Sequence, residues 1–283
     1  MLFGNIAEVD ESNRGFNGNA GFVVTDAGVI AIDSLGSPEL GRRMIATIRS
    51  VTDKPIKYLI LTHSHPDHSY GAVAFRRLGG VTVVGHEGTL DYIHSERIDG
   101  SAEYRRGFIA EDMQGFEGVE PDVLIGGERF SKRSIHLGDR RLEVYNVGQH
   151  HSAGDLVVRQ VEARILWIGD LAFNGRVTFM ADGHSKQILE GQRWLMESFG
   201  ERARLMVPGH GSAQTPPFPM VERTRRYVTG LRRKMARAVE QGWGLQKAVE
   251  RSHMPAWEEV RLYGLNHRPN ANFVYREMEM ALF

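Results

Sequence analysis

The apolar positions of the chain change their spacing as the sequence runs, and each spacing predicts an element. Gly21 to Val24 and Val29 to Asp33 are short apolar runs rich in β-branched residues, joined by Thr25-Asp26-Ala27-Gly28; the pattern predicts an antiparallel hairpin. Ser37-Pro38 supplies a helix cap and first turn. Leu40, Met44, Ile45 and Ile48 then recur at helical spacing, which predicts a helix over Pro38 to Ser50. Pro55 resets the chain. Ile56 to Leu61 reads as a buried strand, Ser69 to Leu78 as a helix stopped at Gly79-Gly80, and Val81 to Val84 as the next strand. Alternating strands and helices predict α/β layering.

From about Ser134 the period becomes that of strands, at Arg141 to Val147, Leu156 to Val161 and Ile165 to Ile168. A helix over Lys186 to Phe199 leads into a strand at Ala203 to Val207. The proline-rich Thr215-Pro216-Pro217-Phe218-Pro219 then interrupts the pattern and predicts a boundary between residues 1–213 and a helical extension, 214–283. Helices are predicted there at Met220 to Gln241, Leu245 to Ser252, Ala256 to Tyr263 and Asn270 to Leu282. Residues 92 to 133 carry no clean period, and only a helix around Ala102 to Glu111 is assigned to them.

Composition narrows the function classes. Lys plus Arg and Asp plus Glu both number 35, so the basic surplus of a nucleic-acid binder is missing. With no cysteine, disulfides, thiol nucleophiles and thiolate-held metals are excluded, and any metal must use nitrogen and oxygen donors. The apolar runs fall well short of the roughly 20 residues that cross a membrane. The acidic start, MLFGNIAEVDESNRG, does not read as a secretory signal, so the expectation is a cytoplasmic protein with no membrane partner.

Candidate chemistry is concentrated in Thr62-His63-Ser64-His65-Pro66-Asp67-His68, directly after a predicted strand. Packing does not call for three imidazoles and a carboxylate in so short a stretch, whereas zinc and neighbouring metals use these donors. His151, Asp170 and His210 also follow predicted strands, so one edge of the fold could gather them all.

His63-Ser64-His65-Pro66-Asp67-His68, His151-Ser152-Ala153-Gly154-Asp155, Ile168-Gly169-Asp170-Leu171 and Pro208-Gly209-His210-Gly211 resemble, in order, the metal motifs of the metallo-β-lactamase fold superfamily. The resemblance covers about residues 18 to 213 and implies an αβ/βα sandwich of two mixed sheets with helices outside. It further implies one metal held by His63, His65 and His151, a second by Asp67, His68 and His210, and Asp170 bridging them. His151 is preferred to His150 because the family pattern of His, then Ser or Thr, any residue, and Gly is met from 151. Asp33 resembles the family's carboxylate that orients a ligand by hydrogen bonding.

Two Zn2+ ions are the implied cofactors, with iron or manganese as alternatives. A water shared by two such ions loses a proton far more readily, its pKa falling from 15.7 toward about 7, and becomes a nucleophile without Ser or Cys. Asp67 and Asp170 are the candidate catalytic carboxylates. Asp170 resembles the bridging Asp of glyoxalase II-like thioesterases, so the expected substrate is a small thioester or related acyl compound, with β-lactam or lactone hydrolysis as an alternative. An iron-dependent persulfide dioxygenase with a mononuclear site and a non-catalytic, metal-stabilised binding protein also stay open.

The ending Leu262-Tyr263-Gly264-Leu265-Asn266-His267-Arg268-Pro269-Asn270-Ala271-Asn272 is similar to zinc hydrolases associated with bacterial sulfur oxidation, and Tyr263, His267 and Asn270 are its candidate substrate contacts. The Arg223 to Lys234 basic run is assigned to the solvated side of an amphipathic helix. Phe273, Met278, Met280 and Phe283 are read as core, with a homo-oligomer contact as the alternative.

Overall fold

The computed structural model describes residues 1–281. Two five-stranded sheets face each other. The first contains β1 (Gly21–Val24), β2 (Val29–Ile32), β3 (Ile56–Ile60), β4 (Thr82–His86) and β5 (Val123–Ile125) in sequential order. β1 and β2 form the expected antiparallel hairpin, and the remaining neighbours pair in parallel. The second sheet has the order β10-β9-β8-β7-β6, built from β6 (Lys132–Leu137), β7 (Arg140–Gly148), β8 (Asp155–Gln160), β9 (Ile165–Gly169) and β10 (Leu205–Pro208). β6 to β9 are antiparallel neighbours, whereas β10 joins β9 in parallel.

Strand alternation explains how the layers close. Along β2, Val29 and Ala31 face the helices α1 (Pro38–Val51) and α3 (Ala72–Leu78), while Ile30 and Ile32 point at the second sheet. All four are buried, as expected of a strand covered on both faces. Between the sheets, Ile30, Ile32 and Ile60 meet Val144, Leu156, Val158 and Trp167. The other face of the second sheet is covered by α6 (Ser185–Phe199) and the start of α7 (Pro219–Glu240) through Leu195, Phe199, Met220 and Val221. The result is the predicted α/β sandwich.

Ser37 accepts the amide of Leu40 and caps α1. The helix buries Leu40, Met44, Ile45 and Ile48, each side chain removed from water contributing about 1.5–3 kcal/mol. The helix predicted over Ser69 to Leu78 is instead two pieces, α2 (Pro66–Ser69) and α3. Gly71 lies between them, where the chain crosses α1 so closely that a Cβ would overlap the carbonyl oxygen of Ser34 and crowd Gly41. Pro66 starts the extra turn.

Where only a helix around Ala102 to Glu111 is expected, the chain forms two helices, α4 (Glu87–Ile93) and α5 (Glu96–Ile109). The buried stripe of α5 is Ile98, Ala102, Arg105 and Ile109; an arginine in that stripe conceals its apolar period. The C-terminal segment has α8 (Leu245–Glu250), a single 3-10 turn at Pro255–Trp257, and α9 (Tyr263–Met280). Two separate helices were expected around 256–263 and 270–282. The first is present only as that 3-10 turn, and the second starts earlier, at Tyr263, and runs through Pro269, because Asn266 and Asn270 tie it on both sides of that proline to the backbone of Val177, Thr178 and Met180. Phe273 and Met278 pack against the cluster formed by α7, α8 and α9, Met280 is exposed, and Leu282 and Phe283 lie outside the described residues. The basic positions Arg223, Arg225, Arg226, Arg233 and Lys234 face solvent along α7. Among the described residues no helix is long and apolar enough to cross a membrane.

Candidate metal centre

Strand ends deliver the chemistry to one edge of the sandwich. β3 runs into His63 and His65, α2 carries Asp67 and His68, β7 precedes His151, β9 precedes Asp170, and β10 precedes His210. They assemble as two groups, His63, His65, His151 and Asp170 in one, and Asp67, His68 and His210 in the other; within each group the candidate ligand atoms lie within 4.8 Å of one another. Asp170 Oδ2 stands 3.1 Å from His151 Nε2 and 3.3 Å from His210 Nε2, while its Oδ1 is 3.6 Å from His68 Nε2. One carboxylate thus touches both groups. Gly209 makes room for it, since a Cβ there would overlap Asp170 Oδ1.

Hydrogen bonds fix the imidazoles from behind. Asp33 accepts the Thr62 amide at 2.7 Å and the Thr62 hydroxyl at 2.9 Å, and pairs with His68 Nδ1 at 2.9 Å. The Thr62 oxygen also lies 3.1 Å from His63 Nδ1, so Asp33 orients His68 directly and His63 through a hydroxyl. His210 Nδ1 donates to the carbonyl of Asn17 at 2.6 Å. His151 is set by its loop: Asp155 accepts the amides of His150, His151 and Ser152 at 2.9–3.1 Å. His150 turns away, its Nε2 bonded to the Ile188 carbonyl, and burial drives its pKa down to about 4.

Charge is coupled tightly across the cluster. Burial raises the cost of ionising Asp170, yet His210 and His151 hold it well below the usual carboxylate range. Burial likewise disfavours a charged His68, but Asp67, Asp33 and Asp170 outweigh it and lift the imidazole to about 9. His63 is pushed down by burial and by neighbouring His68. Its Nε2 and Asp170 Oδ1 are buried without a hydrogen-bond partner among the described residues. Buried polar atoms are normally satisfied, and a cation of the kind bound by imidazole and carboxylate would satisfy both. Each group therefore carries a donor set that could hold a metal ion.

Beside the cluster opens a cavity of about 380 Å³. Asp67 reaches it, with Arg105, Arg176 and Asp182 supplying further charge and Phe179, Leu265 and Pro269 apolar surface. The last helix contributes, but not through the expected side chains. Tyr263 accepts the amide of Met254, His267 sits between Tyr227 and Ser252, and Asn270 holds Met180 and Thr178. Their polar atoms are consumed in packing, and the cavity wall is formed by Leu265, Asn266 and Pro269 instead. Successive helical residues turn by 100°, so a shift of one position changes the face.

Arg176 was not legible in the sequence. Its guanidinium stacks 5.5 Å from the Phe173 ring and approaches His210 Nδ1, itself a donor, at 3.1 Å; its buried Nε has no partner. It forms no ion pair with a carboxylate among the described residues. Arg105 differs, because the oxygens of Gly36, Gly15 and Asn17 accept its hydrogen bonds.

The sequence profile of the metallo-beta-lactamase superfamily matches residues 13–213. The chain belongs to that superfamily. It is 26% identical over 204 residues to a metallo-beta-lactamase type 2 of Bacillus sp. (strain 170), which covers 69% of each protein. It is 37% identical over 71 residues to a linear primary-alkylsulfatase of Pseudomonas sp. (strain ATCC 19151), covering 23% of this chain and 13% of that protein. Among solved structures, a stereoselective inverting sec-alkylsulfatase from Pseudomonas sp. shares the fold with a TM-score of 0.74 at 20% identity, over 92% of this chain and 47% of the other. The chain thus spans under half the length of these sulfatases.

Proposed function

We propose that the chain is a metal-dependent hydrolase with a dinuclear site. The observation that carries this reading is the contact of Asp170 with imidazoles of both groups. His63, His65 and His151 would hold one ion, Asp67, His68 and His210 the other, and Asp170 would be shared. Zinc suits these donors, and iron and manganese accept the same set. A bound pair of dications supplies an activated water at neutral pH and polarises the bond under attack. A single iron held by two His and one Asp leaves the rest of the cluster idle, which disfavours a dioxygenase. A merely stabilising metal gives no reason for the adjoining cavity.

The protein's own groups supply the remaining steps. Asp67, the carboxylate of the cluster that is most open to the cavity, accepts a proton from the attacking water and returns one to the leaving group. Phe179, Leu265 and Pro269 bind the apolar part of a small-molecule substrate and exclude bulk water. Arg176 receives its anionic part, because its guanidinium has no carboxylate partner among the described residues and is stabilised by whatever anion enters. The substrate class in this reading is an acyl compound, a thioester or related ester, that carries negative charge.

A second reading, hydrolysis of a sulfate ester, is favoured by Arg176, which has no carboxylate partner among the described residues, together with the fold shared with an alkylsulfatase over 92% of the chain. Assaying one preparation on S-lactoylglutathione, a chromogenic cephalosporin and a long-chain alkyl sulfate distinguishes them. The acyl reading predicts the highest kcat/KM on the thioester. A preference for the alkyl sulfate replaces it with the second reading, a preference for the cephalosporin makes the enzyme a lactamase, and no turnover of any removes hydrolysis. For the preferred anionic substrate, Arg176→Met should raise KM roughly 10- to 100-fold, as expected for one charge-assisted hydrogen bond; an unchanged KM takes Arg176 out of the binding site.

A further inference from the structure

Two of the candidate ligands are backed by a carboxylate, and only one of those carboxylates has a counterpart in the sequence motifs. Asp33 backs His68 and is itself buried and fastened by Thr62. On the other group, His65 Nε2 lies 3.1 Å from Asp182 Oδ2. Asp182 sits in the loop before α6, 117 positions from His65. Its second oxygen is paired with the guanidinium of Arg97, the second residue of α5. The carboxylate therefore bridges an imidazole of the cluster and a cation on a helix that also lines the cavity with Tyr104 and Arg105.

An imidazole that donates from one nitrogen keeps its lone pair on the other. With Nε2 committed to Asp182, His65 carries its lone pair on Nδ1, the atom left for a cation. Without that partner the ring of His65, which is the least buried imidazole of the cluster, is free to flip or to exchange its proton between nitrogens. We propose that Asp182, braced by Arg97, is a positioning residue that fixes the tautomer and ring orientation of His65 and so sets metal affinity at the group containing His63, His65 and His151. This rests on the dinuclear reading above. It also ties α5 to the metal centre, through a contact that joins three segments distant in sequence.

The test is a titration of the metal-stripped full chain with cobalt(II), followed by visible absorption and by competition with a chelating indicator. The wild type should bind two equivalents. Asp182→Ala should weaken one equivalent by about 10- to 100-fold, the range for loss of an outer hydrogen-bond partner, and leave the other at its wild-type affinity. Asp182→Asn should fall between, and Arg97→Gln should weaken the same equivalent by a smaller factor. The cobalt spectrum of the weakened site should change, which a purely structural role would not cause. Two equivalents at wild-type affinity in Asp182→Ala, or an equal loss at both sites, overturns the proposal. If Asp182→Ala does not fold, Arg97→Gln decides, and wild-type affinity there overturns it. A wild type that binds no cobalt instead removes the dinuclear reading itself.

Discussion

Replacing Asp170 by alanine is expected to lower kcat/KM on the preferred substrate by on the order of 10³-fold or more, the scale seen when a group acting directly on developing charge is removed. The reason lies in its position. Asp170 is the carboxylate within 3.6 Å of nitrogens from His151, His210 and His68, so its loss separates the two groups and leaves three imidazoles without their common anion. Asp170→Asn preserves the shape and removes the charge, and should be nearly as damaging. Asp170→Glu should not rescue, because Gly209 packs against Oδ1 and leaves no space for a longer side chain. The measurement is kcat/KM with metal content on the same samples. An alanine variant that keeps a tenth of wild-type activity would show that the two groups work independently.

Metal removal should have an effect of similar size. Dialysis against a chelator is expected to abolish turnover, and return of the metal to restore it. Stability should fall as well, since the cluster gathers carboxylates and imidazoles in the interior and a cation present at a thousand times its dissociation constant adds about 4 kcal/mol to the folded state. For a chain of this size that amounts to a fall in Tm on the order of 10 °C. Thermal melts with and without chelator check it. An identical Tm and undiminished turnover would mean that the cluster is held together by its own protons and hydrogen bonds.

Much of the fold was legible because its elements obey simple periods. The hairpin at 21–33, the α1 stripe and β7 to β10 show the apolar runs or helical spacing that their buried faces require. The same strands explain why the site was legible: His63, His65, Asp67 and His68 crowd one loop, and His151, Asp170 and His210 each follow a strand that ends at the same edge. What was missed has a physical cause in each case. α4 is seven residues long and buries Gly88, Thr89 and Tyr92, and the first turn and a half of α5 offers Ile98 as its one apolar side chain, so neither shows an apolar helical period. Arg176 and Asp182 stand singly in irregular loops, where no period marks them and only the folded chain brings them to the cluster. The last helix was expected to begin only at Asn270, because a proline in a helix interior normally breaks it, and the face presented to the cavity was misplaced by one residue.

The choice between His150 and His151 illustrates how far sequence spacing reaches. Both imidazoles are fully buried, and both amides bond to Asp155. The one-residue difference sends one ring to the carbonyl of Ile188 and the other to Asp170. Their titration diverges accordingly: burial takes His150 down to about 4, while Asp170 overcomes burial and raises His151. His150→Gln should therefore leave the cluster intact.

The proposed chemistry depends on two cations sharing Asp170. Elemental analysis of the chain, loaded with zinc, iron or manganese and freed of excess by gel filtration, measures this directly. Two equivalents per chain in the wild type, falling to one or fewer in Asp170→Ala, is the predicted result. A wild type that retains no metal from any of the three, or the same two equivalents with Asp170 removed, would contradict it.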